Sequence, residues 1–149
     1  MDLERLFFLR EEYDLTQDNV GLIVGTKKFS ISNWEHSKEI IPLDKLNRYS
    51  NHFNVSMDYI LKLSNDKNAP VIKFDELDKV IIGKNIKYIR EVYNLTQREL
   101  AAILNTTHSV IWSYETGKRL ILTAFAFQLC KKYNLSLDWL CGKSDIMYR

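Results

Sequence analysis

Lys28, Phe29, Ser32, Asn33 and His36 are spaced so that, at about 100° per residue, they share one side of a helix, while Ser30, Ile31 and Trp34 share the other. Eighty residues on, His108, Ser109, Trp112, Ser113 and Thr116 hold the outer positions and Val110, Ile111 and Tyr114 the inner ones. Small polar groups with an amide or imidazole are what base-edge reading requires: amides pair with adenine, Ser or Thr with either partner, and apolar groups meet the thymine methyl. No other constellation offers competing chemistry. His36, His52 and His108 stand far apart, no serine carries a glycine elbow, and Cys130 and Cys141 have no CxxC or Cys/His grouping near them. The expectation is no catalysis, no metal, no cofactor, no small-molecule ligand, and two plain buried thiols.

A reading face needs a rigid helix behind it. The stretch from Leu15 to Lys38, LTQDNVGLIVGTKKFSISNWEHSK, returns from Leu95 to Lys118 as LTQRELAAILNTTHSVIWSYETGK. Thr16 and Thr96 are good helix N-caps, and Glu99 completes a Thr-x-x-Glu capping box in the second copy. Val20, Ile23 and Val24, like Leu100, Ile103 and Leu104, have the spacing of one buried face of a helix of about eight residues. Gly25 and Asn105 follow, residue types that tolerate the left-handed conformation of a helix stop. Thr26, or Thr106 and Thr107, then cap a second helix running to about His36 or Thr116. Two short helices joined by a tight turn are the geometry that puts one helix into a major groove.

The flanking pattern is helical too. Asp2 caps a first helix to about Tyr13, Leu43 to about Phe53 forms a fourth, and Ser56 caps a fifth with Asp58 in its first turn. Asn65 to Pro70, NDKNAP, is polar, ends in proline and reads as a linker. The plan then repeats at an offset of 80 without gaps, with identities such as Arg10/Arg90, Gln17/Gln97, Glu35/Glu115, Ser56/Ser136 and Asp58/Asp138. The reading is an all-α chain of two tandem five-helix domains, residues 1–65 and 80–149, with 66–79 as linker and start of the next helix. That linker leaves no room for a third domain between the halves.

At 149 residues, 46% apolar and 27% charged, the composition is that of an ordinary globular chain. No apolar run approaches the roughly 20 residues of a membrane span and MDLERLFF has no basic n-region, so no membrane association and a cytoplasmic location are expected. Charge is uneven: residues 1–65 hold 8 Lys+Arg against 10 Asp+Glu, net −2, and residues 80–149 hold 10 against 5, net +5. The basic half suits a phosphate backbone, although so small an excess also fits a solvated surface.

Each half resembles the Cro/C1-type (XRE, lambda-repressor-like) helix-turn-helix family of phage repressors and bacterial regulators. The resemblance rests on Leu15-Thr16-Gln17, Gly25, Trp34-Glu35, Lys38 and Asn54-Val55-Ser56-Met57-Asp58. It rests equally on Leu95-Thr96-Gln97, Asn105, Tyr114-Glu115, Gly117-Lys118 and Asn134-Leu135-Ser136-Leu137-Asp138. It implies that Gln17 and Gln97 clamp a phosphate, that Lys28, Phe29, Ser32 and Asn33, with His108, Ser109, Trp112 and Ser113, face bases, and that Lys27, Lys38, Thr107, Lys118 and Arg119 hold the backbone. Arg10 with Glu35, and Arg90 with Glu115, would be internal ion pairs. The implied function is a sequence-specific regulator of bacterial or phage type, a repressor, binding double-stranded DNA alone or as a homodimer. Ser37 in place of a glycine, Gly21 in place of an alanine, and Trp112 depart from the family pattern. A second reading is an antitoxin-like or anti-repressor module in which a degenerate second motif contacts protein through Trp112 and Phe127.

Overall fold

The computed structural model describes residues 1–70 and 72–149. They form two compact units, Met1–Glu76 and Leu77–Arg149. Unit 1 carries α1 (Glu4–Glu12), α2 (Gln17–Val24), α3 (Lys28–Glu35), α4 (Leu43–Phe53) and α5 (Met57–Ile60). Unit 2 carries α6 (Lys79–Val92), α7 (Gln97–Ile103), α8 (His108–Glu115), α9 (Thr123–Tyr133) and α10 (Leu137–Leu140). Among the described residues the only extended pairing is two single antiparallel bridges, Val55 with Asn68 and Leu135 with Tyr148.

The repeat extends to the backbone turns. Ten described residues have left-handed φ, and they fall into five pairs at the eighty-residue offset: Asp14/Asn94, Gly25/Asn105, Ser37/Gly117, Asn54/Asn134 and Lys62/Gly142. Asn and Gly tolerate this region best, which is why they recur there. Between the turns, Leu6, Leu9, Val20, Val24, Ile31, Leu46 and Tyr49 close the core of unit 1, and Ile86, Ile89, Leu100, Leu104, Ile111, Tyr114 and Leu129 that of unit 2. Each such side chain contributes roughly 1.5–3 kcal/mol by leaving water. Cys130 and Cys141 are both buried, as expected of plain buried thiols.

Helix starts depart from expectation in three places. Asp2 does not cap α1: the cap residue is Leu3, and Asp2 accepts from the Glu4 amide at 3.0 Å from one position earlier. Thr26 does not cap α3, which starts from Lys27 with no side-chain cap, whereas Thr107 does cap α8 through the Val110 amide at 3.4 Å. The capping box, expected only at Thr96 and Glu99, is also complete at Thr16, where the Asn19 amide oxygen accepts from the Thr16 N–H at 2.9 Å. Asn can replace Glu there because the bond needs only an acceptor within reach.

The stretch read as a linker makes hydrogen bonds to unit 1. The Lys67 carbonyl accepts from the Ser56 amide (3.1 Å), and Asn47 and Asn51 both donate to the Phe74 carbonyl, at 2.9 and 2.7 Å. Lys73 Nζ reaches Asn54 Oδ1 at 2.7 Å. Polar composition signals exposure, yet backbone groups still seek partners, and two amides spaced i, i+4 on α4 supply them. Asp78 then caps α6 through the Val80 amide at 2.8 Å.

The halves differ most in their first helix, 14 residues in unit 2 against 9 in unit 1. The extra turn brings α6 onto the end of α8. A Cβ on Gly83 would lie 2.4 Å from the Tyr114 carbonyl oxygen, and one on Gly117 would lie 3.0 Å from Val80 Cγ2 and 3.1 Å from its Cα. Unit 1 lacks that turn and accommodates Ser37 at φ 55°, where the Ser37 hydroxyl accepts from the Leu3 amide at 3.0 Å.

Candidate nucleic-acid interface

An Arg–Glu lock holds the second helix of each helix-turn-helix pair, α3 in unit 1 and α8 in unit 2. Arg10 Nε and Nη2 donate to Glu35 Oε1 and Oε2 at 2.6 and 3.1 Å, and Nη1 donates to the Leu15 carbonyl at 2.8 Å. One guanidinium therefore ties the C-terminal ends of α1 and α3 to the turn before α2. In unit 2, Arg90 Nη2 meets Glu115 Oε1 at 2.9 Å and Arg90 Nη1 meets the Leu95 carbonyl at 3.0 Å. Both carboxylates are almost fully buried. Their hydrogen bonds hold both guanidinium pKa values above the ordinary arginine value, so both arginines stay charged. The expected pairs Arg10–Glu35 and Arg90–Glu115 are thus present.

On this frame the outer side of α3 is open. Lys27, Lys28, Phe29 and Lys38 are exposed, Phe29 by 74%, while Ser32 and Asn33 are half-buried. The His36 ring lies 2.8 Å from the Ser32 carbonyl. The Asn33 amide makes no side-chain hydrogen bond among the described residues, so its donor and acceptor are available to a ligand.

The outer side of α8 differs. His108, Ser109, Lys118 and Arg119 are exposed, and Trp112 is 42% exposed with Lys118 Nζ 4.3 Å above its ring centroid. Ser113, expected on the outer face, is only 8% exposed, and its hydroxyl donates to the Val110 carbonyl at 2.8 Å. It holds the wheel position of Asn33, but the shorter side chain folds back onto its own helix and offers nothing outward. Thr116 likewise donates to the Trp112 carbonyl at 2.9 Å, and Thr107, exposed, is the helix cap. What remains is an apolar hollow of about 540 Å³ lined by His108, Ser109, Val110, Trp112, Ser113 and Arg119.

The expected phosphate clamps diverge as well. Gln17 is half-buried and donates to Glu35 Oε2 at 3.0 Å, whereas Gln97, equally half-buried, has no such bond among the described residues. Beside Gln17 an open hollow of about 550 Å³ is rimmed by Glu11, Asp14 and Asp18 against Arg10 and Lys28. The matching residues of unit 2 are Glu91, Asn94 and Arg98. Arg98 and Asp18 were not among the expected contacts. Their opposite signs at one repeat position were the available signal.

No group of three or more His, Cys, Asp or Glu poised for a metal occurs among the described residues, and no helix is long and apolar enough to cross a membrane. Residues 3–65 match the family described as "Helix-turn-helix domain", and residues 86–140 the one described as "Helix-turn-helix". Over 71 residues, 48% of this chain and 63% of the relative, the protein is 35% identical to the "Uncharacterized HTH-type transcriptional regulator YobD" of Bacillus subtilis. Over 67 residues, 45% of this chain and 42% of the relative, it is 33% identical to "Antitoxin PezA" of Streptococcus pneumoniae serotype 4. The match therefore spans about half the length of these relatives. With capped α2–α3 and α7–α8 pairs, the Arg–Glu locks and both family matches in register, the chain is two helix-turn-helix domains of XRE type in tandem.

Proposed function

We propose that this protein is a sequence-specific DNA-binding transcriptional regulator acting as a repressor by occupancy. The observation that carries the reading is the open outer face of α3, where an unpartnered Asn33 amide, a half-buried Ser32 and exposed Lys28 and Phe29 are backed by a buried lock. In this reading Asn33 pairs with an adenine edge, Lys28 with guanine, and Phe29 packs on a thymine methyl. Gln17, Lys27 and Lys38 hold phosphates in unit 1, and Gln97, Thr107, Lys118 and Arg119 hold them in unit 2, joined by Arg98. His108, Ser109 and Trp112 face the groove from α8, with Ser113 as support behind them. Two reading helices, in one chain or in paired copies, suit a two-part site, and the bound protein keeps polymerase off.

The experiment is binding to duplexes selected from a random pool, measured against salt. Neutralising several phosphates should make log affinity fall with log salt by about 0.9 per phosphate contacted. A flat response, or no enrichment of any sequence, contradicts the reading. One observation favours a second function: Trp112 and the apolar hollow beside it resemble a protein-contact surface more than a base-reading one. The antitoxin relative fits that alternative, in which α8 holds a protein and α3 alone reads DNA. Trp112→Ala separates the two. Loss of duplex affinity supports groove contact, and unchanged affinity supports the protein-contact role.

A further inference from the structure

Helices α4 and α9 occupy matching places in the two units, yet one face of each carries different groups. Unit 1 has Asn47 and Asn51, one turn apart, where unit 2 has Phe127 and Lys131. Asn47 is fully buried, its Nδ2 donates to the Phe74 carbonyl at 2.9 Å, and its Oδ1 has no partner among the described residues. Asn51, half-buried, donates to the same carbonyl at 2.7 Å. A buried amide with an unpaired oxygen costs stability that an apolar side chain such as Phe127 does not. What the two amides accomplish together is to hold one backbone carbonyl in the segment that leads to unit 2. Lys73 Nζ adds a bond to Asn54 Oδ1 at 2.7 Å.

The hold shortens the connection. After Phe74 the next anchored residue is Asp78, the cap of α6, and four residues span at most about 14 Å. Without the hold on residues 73 and 74, the last residue tied to unit 1 is Asn68, bridged to Val55, and the ten residues from there to Asp78 span at most about 35 Å. The difference, about 20 Å, is worth roughly six base pairs of duplex. We infer, on the DNA-binding reading above with both units on one duplex, that Asn47 and Asn51 are positioning residues for a two-part site. By strapping the segment before α6 onto α4 they limit how far apart the two halves of that site can lie. Neither side chain needs to meet the duplex, because each acts on reach. A short tether concentrates the second unit over a narrow range of spacings, and a longer one spreads it thinly over more of them.

The full chain, titrated with duplexes that carry the selected two-part sequence and up to about ten inserted base pairs between its halves, tests this. The wild type binds within about tenfold of its best affinity over a few consecutive spacings only. Asn47→Leu/Asn51→Leu keeps that level over several more and loses about threefold at the best spacing. A duplex with a single half binds both proteins equally, since neither amide reads a base. Asn51→Leu alone, at a half-buried position, widens the range in smaller measure, and its profile decides if the double variant does not fold by circular dichroism. Identical spacing profiles for folded variants and wild type overturn the inference. So does a selected sequence of one part, or a wild type indifferent to spacing, and these leave DNA binding itself standing. Failure to bind any selected duplex overturns the DNA-binding reading and the strap's role with it.

Discussion

Units 1 and 2 repeat the same five turns and the same Arg–Glu lock, yet they present opposite surfaces around their second helices. Unit 1 sets Asp14 and Asp18 where unit 2 has Asn94 and Arg98, and it spends Gln17 on Glu35 while Gln97 stays free of that bond. Unit 2 gives up the outer-face amide: Asn33 becomes Ser113, folded back onto Val110. In the proposed reading, base-contacting groups thus concentrate in the acidic half and phosphate-binding charge in the basic half. Buried positions keep the scaffold while exposed ones differ, and on that proposal an anchor with little sequence preference and a reader with little charge would each need the other.

The largest expected effect breaks the feature the halves share. Glu35→Ala leaves Arg10 buried and Gln17 without its acceptor, and should destabilise unit 1 by about 3–5 kcal/mol. Glu115→Ala should cost unit 2 somewhat less, because only Arg90 loses its partner. Urea unfolding of the two variants checks this: equal losses would remove the share assigned to Gln17, and negligible losses would show that the lock does not hold α3 and α8 in place. Next, Asn33→Ala should weaken a selected duplex by about 1–3 kcal/mol and spare random DNA. Ser113→Ala should change neither, and parallel titrations of the two sharpen the division between reader and anchor.

Gly83→Ala should destabilise unit 2 by about 1–3 kcal/mol, since the new methyl meets the Tyr114 carbonyl. Calorimetry would register this as a lower melting temperature for one unit alone. Asp18→Arg should steepen the salt dependence of random-duplex binding by about one phosphate equivalent, and Arg98→Asp should flatten it by as much. The smallest effect is expected from Ser37→Gly. Losing the bond to Leu3 (about 0.5–1.5 kcal/mol) offsets the relief of a left-handed serine (about 1–3 kcal/mol), so stability should move little.

Most of the scaffold was legible because it rests on periodicity and turn chemistry. The apolar spacing placed α2, α3, α7 and α8, and Gly25 and Asn105 marked their stops. What escaped depended on reach rather than residue type. Asn19 serves as a box acceptor, Ser113 is too short to emerge from its wheel position, and Asn47 with Asn51 captures the Phe74 carbonyl. In the candidate site, the outer face of α3 followed from the wheel alone. The opposed charges of Asp18 and Arg98 were visible in the aligned repeats, and they acquire meaning only beside the Gln17 and Gln97 geometry.

In the proposed complex the outer side of α3 lies against base edges, and amide NMR of the full chain during titration with a selected duplex reads this residue by residue. Shifts should concentrate at Lys28, Phe29, Ser32 and Asn33, with a second cluster at Gln97, Arg98, Lys118 and Arg119. Tight binding that leaves the α3 signals unmoved would rule that placement out.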